Sequence, residues 1–517
     1  MRPLQVLLVQ ANPCRVPPVY PFGIGLLADR LAEKGHYVDI MDPFFASDYP
    51  SATIEKPADS PKPDLVGISI RNIDDALVMR SDLDTEGPHT TSYIETIRRV
   101  VESMRYRLGS AVPIVAGGGG FSSAHKLMLD VLGLNIGVVG PGEDAFAAIA
   151  AVCLPLLESE SLTESALTRF LRNEPIPGVI LSDGAFKPPQ KIFSLSASVS
   201  IPANLSPYMN HPASYLPFRT RTGCGGSCSF CIESAPSTPI SQVNPSKLSL
   251  EIQRISDFHS EEIFFLCDGE LNRPEPDHAV QMIEALSSVK PMPIWRGYVC
   301  PSPLPEELII AIAKTPVLDL HLNTVHISDR VLDINRIGHT RRDIFRAMDY
   351  FKKYRIPFSM SILAGLPGET EETLEELKDF LEKASERTSF SAGARIYPGT
   401  LLENLAEHEP VHIYGASDSP FDVRVFCKPY SPGDLLKRLM SVREKNPHIA
   451  VMNAGGDIPL NIQWAKRYFD MGNVFAAKAD LKRAIKSYRS ALAADPSCEP
   501  ARINLAAVER AFHQEKL

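Results

Sequence analysis

Five short apolar runs, residues 5–10, 37–41, 65–70, 114–116 and 136–139, alternate with helix-length stretches such as 22–34, which Gly35 closes. Strands that recur with a helix between them pair in parallel, so this part of the chain is expected to fold as a doubly wound sheet covered on both faces. Ligands of such sheets sit outside the carboxyl ends of the strands. Those ends carry the glycines here: Gly117, Gly118, Gly119 and Gly120 after the fourth run, and Gly140-Pro141-Gly142-Glu143 after the fifth. A backbone without side chains lets a ligand come close, although four glycines in a row equally suit a flexible turn.

The whole chain is 517 residues, enough for about three domains at roughly 100–200 residues each. With 44% hydrophobic residues it is too apolar for a disordered chain. The longest nearly continuous apolar run, residues 145–157, suits a buried helix and is too short to cross a membrane. A net charge of −9 argues against a nucleic-acid partner held through its phosphates. Neither nucleic acid nor membrane is expected as a partner. The opening MRPLQVLLVQ has too short an apolar stretch for a signal peptide and reads as a strand. Nine cysteines, an odd number without an export signal, point to a reducing cytoplasm.

Six of those cysteines (Cys14, Cys153, Cys267, Cys300, Cys427, Cys498) are scattered, whereas Cys224, Cys228 and Cys231 stand together in RTRTGCGGSCSFCIE. Three thiolates at this spacing can hold three irons of a [4Fe–4S] cluster and leave the fourth open. A structural zinc site closes with four ligands, and no second cysteine pair or histidine pair is present to complete one. Gly223, Gly225 and Gly226 let the loop wrap tightly, and Phe230 offers an aromatic face to an adenine. A P-loop or dinucleotide fold is excluded because no GKS/T or GxGxxG follows any of the strands.

The C-x3-C-x2-C spacing with Phe230 in place resembles the signature of the radical SAM superfamily, which implies that the open iron chelates S-adenosylmethionine. Residues 263–267 read as a strand ending in Asp268-Gly269-Glu270, and 294–299, 318–322 and 358–363 as further strands. The fifth strand ends in GLPGET (365–370), and a sixth, 393–397, runs through RIYPGT. The resemblance spans about residues 205–445 and implies a partial (β/α)6 barrel with its site at the carboxyl ends of the strands. It also implies S-adenosylmethionine contacts at Phe230, Asp268, Gly269, Glu270, Gly365, Pro367, Gly368, Arg395 and Tyr397. Glu270 has two readings: contact with the methionine amine, or a fourth, oxygen ligand to the cluster. Tyr298, in WRGYVCP, also has two: proton transfer at a substrate, or a packed aromatic bonded to backbone.

The first 150 residues, with VYPFGIGLLADRLAEKGHYVDIMD, DLVGISIRN, PIVAGGGGF and VVGPGEDAF, resemble the cobalamin-binding domain of B12-dependent radical SAM enzymes. Corrin contacts are implied at Phe22, Gly23, Ser69, Arg71, Asn72, the four glycines 117–120, Gly140, Gly142 and Glu143. The histidine motif that ligates cobalt from below in other cobalamin domains is missing; Ala11-Asn12-Pro13-Cys14 stands in its place. His36 reads as a turn residue. Cobalamin is therefore expected without a protein histidine on cobalt. Arg71 is either the cation nearest the corrin or a strand-end partner of Asp74 or Asp75.

From Ala465 onward the pattern is helical, with Tyr468, Gly472, Phe475, Ala484, Tyr488, Ala491 and Pro496 at the packing positions of a tetratricopeptide (TPR) repeat. One repeat cannot bury its own face, so it is expected to dock on the barrel or pair with another chain; it reads as a lid over the barrel mouth, with recognition of a peptide or carrier-protein partner as the other reading. The expected fold class is α/β: a Rossmann-like cobalamin domain (1–155), a linker (156–204), the barrel (205–445) and an all-α TPR-like tail (446–517).

The combination resembles the class B radical SAM methyltransferases. That implies a [4Fe–4S] cluster, S-adenosyl-L-methionine and cobalamin (methylcobalamin) as cofactors, with Arg71, Glu270 and Tyr298 as the catalytic candidates. The GISIRN strand end, Glu270 and the helical tail most resemble the tryptophan 2-C-methyltransferases of thiopeptide biosynthesis, which act on an sp2 heteroaromatic carbon. Other readings stay open: a pyrrole in antibiotic biosynthesis, radical methylation of an sp3 carbon, a cobalamin-dependent rearrangement or cyclisation, and a corrinoid or redox sensor. The partners implied are a small-molecule or peptide substrate and, for a radical route, an external flavodoxin- or ferredoxin-type electron donor.

Overall fold

The computed structural model of the chain describes residues 2–13, 20–44, 61–75, 90–200, 206–209, 211–234, 239–259, 262–415, 418–451 and 458–514. Cys14 lies outside them. The amino-terminal runs form a sheet of β1 (Gln5–Gln10), β2 (Tyr37–Met41), β3 (Leu65–Ser69), β4 (Ile114–Gly117), β5 (Ile136–Val138) and β6 (Val179–Leu181). Its order is β2-β1-β3-β4-β5-β6, with the first five strands parallel and β6 antiparallel. The apolar run at 145–157 becomes the helix Glu143–Glu158, whose first turn carries Glu143 and Asp144, favourably placed at the positive end of the helix dipole. His36 accepts from Leu4 N at 3.4 Å, as a turn residue would.

The segment expected as a linker belongs partly to this sheet. Residues Glu164–Asn173 are helical and lead into the edge strand β6. Glu164 is buried and accepts from Ile114 N at 3.1 Å, which ties that helix to the start of β4. The tie spans 50 positions in sequence and has no local signature.

A second sheet follows, all parallel and in sequential order: β7 (Leu216–Phe218), β8 (Ile263–Leu266), β9 (Ile294–Val299), β10 (Val317–Val325), β11 (Phe358–Ala364), β12 (Arg387–Ala392) and β13 (Ile449–Val451). Alternate residues face the outer helices, so Phe264, Leu266, Trp295, Leu320, Leu322 and Met360 enter one apolar core. The Trp295 indole N–H is satisfied by Thr315 Oγ1 at 2.8 Å. The helices Arg341–Lys353 and Glu371–Lys383 start on capping boxes at Thr340 and Thr370.

The sixth strand differs from expectation. It is Arg387–Ala392, and residues 394–396 leave the barrel for a small antiparallel sheet with 424–426 and 413–415. Gly393, at φ +84°, makes the break, and a Cβ there would stand 2.7 Å from Val425 Cγ1.

The tail forms three helices, Leu460–Ala477, Leu481–Ala494 and Glu499–Gln514. Ala465, Phe475, Ala484, Tyr488 and Ala491 are buried, as the pattern required. It is not a lid over the barrel mouth. Its core includes Ile263 and Ile294, the first residues of β8 and β9. Arg467 donates to Pro212 O at 3.0 Å and pairs with Glu262 at 2.7 Å, while Arg483 donates to Met292 O at 2.8 Å. All of these lie at the amino ends of strands, so the helices close the end opposite the expected site. Gly472 permits the first two helices to meet, because a Cβ there would lie 2.5 Å from the Tyr488 ring. Gly472→Val should therefore cost about 1–3 kcal/mol through overpacking. A lowered melting temperature with unchanged metal-cluster absorbance is the expected reading.

Candidate active site

The cysteine loop leaves the two-residue strand Arg221–Thr222 and is folded tightly by its glycines. A Cβ on Gly225 would meet Pro274 at 2.8 Å, and one on Gly226 would stand 3.4 Å from Cys224 Sγ and 3.8 Å from Cys228 Sγ. Ser229 anchors the loop. Its N donates to Asn335 O at 2.9 Å, its hydroxyl donates to Asn335 Oδ1 at 2.7 Å, and its carbonyl accepts from Leu402 N at 2.8 Å. Asn335 in turn donates to Pro367 O at 2.8 Å, so one buried amide holds both the cysteine loop and the GLPGET turn.

Burial pushes all three thiols upward, Cys228 to about 12. A bound metal reverses such a penalty by drawing out the thiolate. Among the described residues no group of three or more histidine, cysteine or acidic side chains is arranged to hold a metal ion.

Above the loop stand polar atoms with no hydrogen-bond partner: Glu270 Oε2, Arg221 Nε and Nη2, and Thr222 Oγ1, all buried. Glu270 Oε2 is 3.6 Å from Arg273 Nη1, too long for a hydrogen bond. Its other oxygen faces Asn323 Nδ2 at 3.4 Å. The Glu270 charge also raises the thiol pKa values of Cys224 and Cys228 beyond the effect of burial, which places the carboxylate near both. Buried polar atoms are seldom left unmatched in a folded protein unless a ligand completes them. Arg221 had no motif to announce it; it is recognised only by burial.

A cavity of about 390 Å³ separates this loop from the carboxyl ends of the first sheet. Phe22, Gly23, Ser69, Gly117, Gly118, Gly119, Gly140, Gly142 and Glu143 line it as expected, and Arg221, Thr222, Glu233, Cys267 and Asp268 face them from the barrel side. Gly118 has φ +102°, and a Cβ there would be 2.5 Å from Ile70 O, so only glycine fits. The cavity's two walls suit a large flat cofactor held between the sheet ends and the cluster. Glu143 also pairs with Arg219 at 2.5 Å, joining the two sheets at the cavity rim.

Arg71, Asn72 and Gly120 do not line the cavity. Gly120 packs on the Arg71 carbonyl, where a Cβ would come within 3.0 Å. Arg71 is exposed, and its charge acts on Glu233, Cys267 and Tyr298, so it stands between the cavity and the barrel interior. Its expected alternative partner, Asp74, is taken by Arg395 Nε at 2.9 Å and by Tyr397 Oη at 3.0 Å.

Arg395 and Tyr397 thus bridge the two sheets instead of lining a ligand site. Asp268, too, is committed: it accepts from Thr220 N at 3.0 Å and from the Thr220 hydroxyl. Gly365, Pro367 and Gly368 are buried in the turn, where Glu369 Oε1 meets His326 Nε2 at 2.9 Å. Gly269 lines the cavity beside the cysteines, and its carbonyl accepts from Asn323 Nδ2 at 3.1 Å. Phe230 is half-buried between the barrel core and the small antiparallel sheet.

Tyr298 is half-buried inside the barrel, and its hydroxyl makes no hydrogen bond among the described residues. Burial pushes its pKa up. It belongs to an aromatic row: Tyr215 and Phe265 with centroids 6.1 Å apart, Phe265 and Tyr298 at 5.7 Å, and Tyr298 and His321 at 5.3 Å.

Comparison with known proteins matches residues 219–381 to the Radical SAM superfamily and residues 13–150 to the B12 binding domain. The chain is 24% identical over 464 residues to the tryptophan 2-C-methyltransferase of Streptomyces laurentii, covering 77% of this chain and 74% of that one. It is 26% identical over 196 residues to a tRNA-2-methylthio-N(6)-dimethylallyladenosine synthase of Pelobacter propionicus, and spans only 44% of that relative's length. Among solved structures, the radical S-adenosylmethionine methyltransferase TsrM of Kitasatospora setae, with cobalamin and a [4Fe-4S] cluster bound, superposes with a TM-score of 0.72. That match has 18% identity and covers 95% of this chain and 100% of that one. The cobalamin-dependent S-adenosylmethionine radical enzyme OxsB superposes with a TM-score of 0.62 at 13% identity, covering 99% of this chain and 75% of the other.

Proposed function

We infer that this chain, a B12 binding domain joined to a radical SAM barrel, is a cobalamin-dependent radical SAM methyltransferase acting on an sp2 carbon of a heteroaromatic substrate, with indole C2 of tryptophan foremost. The observation that carries the substrate class is the aromatic row of Tyr215, Phe265, Tyr298 and His321 along the inner face of the barrel. Aromatic side chains accompanied by a few polar groups favour an aromatic ligand, which they can meet edge-on or face-on. The likeness to tryptophan 2-C-methyltransferase over most of the chain supports the same reading.

When bound, cobalamin supplies a methyl carrier, S-adenosylmethionine the methyl group, and the cluster an electron store. The chain's part is placement. Cys224, Cys228 and Cys231 would hold the cluster, and Phe22, Ser69 and the glycines from 117 to 142 would hold the corrin. Arg71 offers a positive charge between the corrin cavity and the substrate space. The helical tail keeps water from the lower end of the barrel, where Arg467 seals the entry of β7 and β8.

Oε2 of Glu270, which has no hydrogen-bond partner and an ion-pair contact with Arg273 at 3.6 Å, lies beside two of the thiols and supports its reading as an oxygen ligand to the cluster. A fourth protein ligand leaves no open iron for reductive cleavage of S-adenosylmethionine. We therefore favour a polar route, in which the electron-rich ring carbon takes the methyl group and no external electron donor is consumed per turnover. The cytoplasm is the proposed location: the eight described cysteines are all free, and no helix of the described residues is long and apolar enough to cross a membrane.

Anaerobic incubation of the reconstituted enzyme with tryptophan, S-adenosylmethionine and cobalamin tests the proposal. Tryptophan should gain one methyl group, labelled when the methionine methyl is labelled, with no stoichiometric 5′-deoxyadenosine. Stoichiometric 5′-deoxyadenosine would overturn the polar route; unlabelled or unmethylated product would overturn methyl transfer itself.

A further inference from the structure

Arg221 is a buried cation that the placement of cofactors above leaves unused. It stands in the two-residue strand that leads into the cysteine loop, lines the cavity, and is only 4% exposed. Its register partner on the neighbouring strand is Gln242, whose amide is spent on Glu275 at 2.9 Å. Nη1 donates to Leu271 O at 3.2 Å, which ties the guanidinium to the turn that carries Glu270. Nε and Nη2 have no hydrogen-bond partner. These two atoms share one edge of the planar guanidinium, so the unmet donors are a parallel pair of N–H groups aimed the same way.

The protein acceptors nearby are already committed. Asp268 takes Thr220 N at 3.0 Å and the Thr220 hydroxyl, Glu270 Oε1 faces Asn323 Nδ2 at 3.4 Å, and Cys224 Sγ accepts from Gly226 N at 3.4 Å. Burial weakens the hold of Arg221 on its proton, and the charges of Asp268, Cys224 and Glu270 act against that loss. The cation therefore stands among the acidic groups of the cluster site. Burying it with two unmet donors is costly unless a ligand supplies the acceptor. Three thiolates and a carboxylate outweigh the positive charge of an iron–sulfur core, so the cluster itself is the acceptor with the charge to match.

We propose that the Nε–H and Nη2–H edge of Arg221 donates to sulfur of the [4Fe–4S] cluster and raises its reduction potential. The inference rests on the cluster held by Cys224, Cys228 and Cys231 and deepens that reading by naming a residue that tunes it. Hydrogen bonds to sulfur and a nearby cation favour the reduced cluster, which carries one more negative charge. A reduced cluster stabilised in this way is a weaker electron donor, in keeping with a route that makes no reductive cut in S-adenosylmethionine. Lysine supplies the charge but not the parallel fork.

Redox titration of the cofactor-loaded full chain tests this, followed by the electron paramagnetic resonance of the reduced cluster with neither S-adenosylmethionine nor tryptophan present. Arg221→Met should take up iron as wild type does. Its one-electron reduction should be about tenfold less favourable, a midpoint about 59 mV more negative. In D2O the reduced wild-type cluster should show exchangeable-deuteron couplings that this variant loses. Arg221→Lys should shift the midpoint in the same direction by less, and it serves if the methionine variant fails to load its cluster. An unchanged midpoint in an iron-loaded variant overturns the inference alone. A wild-type midpoint with weakened binding of S-adenosylmethionine overturns it equally, by giving the fork to that ligand's carboxylate. Wild type that takes up no iron overturns the cluster reading, and this inference with it.

Discussion

The Cys228→Ala protein is expected to lose the visible absorbance of the cluster and all turnover of S-adenosylmethionine, while still binding cobalamin. Cys228 sits in the middle of a loop whose backbone is already pinned by Ser229 to Asn335 and Leu402. The loop will keep its course when the thiol is gone, so the loss will be of a ligand and not of the fold. Cys153 and Cys427 are no substitute ligands, since burial raises their thiol pKa values, and Cys498 is in the tail. The corrin cavity is lined mainly by the first sheet and includes no atom of Cys228. Absorbance and elemental iron check the first half; cobalamin retained after gel filtration checks the second. An iron content equal to that of wild type would sink the assignment of Cys228 as a ligand.

The parallel sheets were legible because periodicity and punctuation agree along the chain. β1, β2 and β9 begin and end where the apolar runs do, and the glycines at 117–119, 140 and 142 face the cavity predicted from the strand ends. The cysteine triplet was legible because cluster ligation needs closely spaced residues of one type. What escaped were residues whose meaning depends on partners far away in sequence. RIYPGT marks the end of a strand, but Arg395 and Tyr397 reach back to Asp74, more than 320 positions earlier. Nothing local distinguishes such an arginine from one that meets a ligand. Arg221 is a single residue in no pattern, visible only once burial and hydrogen-bond partners are known. The tail's packing positions were readable, but which end of the barrel it closes was not. That is decided by Arg467 and Arg483 finding backbone carbonyls at strand starts.

Replacing Asp74 with alanine should lower stability by about 3–5 kcal/mol, the usual consequence of stranding one half of a buried ion pair. The side chains of Arg395 and Asp74 are 4% and 2% exposed, so neither charge can relax into water. Arg395 Nη2 already lacks a partner, and Nη1 is committed to the carbonyls of Ile396 and Arg424, which leaves the guanidinium nothing to fall back on. Tyr397 would lose its acceptor in the same step. The effect should reach the cofactor. Asp74 ends the segment that begins at Ile70 and Arg71, and Gly118 and Gly120 pack on the carbonyls of those two residues. A shift of that segment moves the glycine wall of the cavity, so corrinoid affinity should fall together with the urea midpoint. The double variant Asp74→Ala/Arg395→Met removes both charges and should recover most of the midpoint, because an apolar pair of similar volume is tolerated where a lone charge is not. A single variant within about 1 kcal/mol of wild type would show the pair to be an ordinary ion pair of the kind found at surfaces. The bridge would then have no part in holding the corrin domain against the barrel.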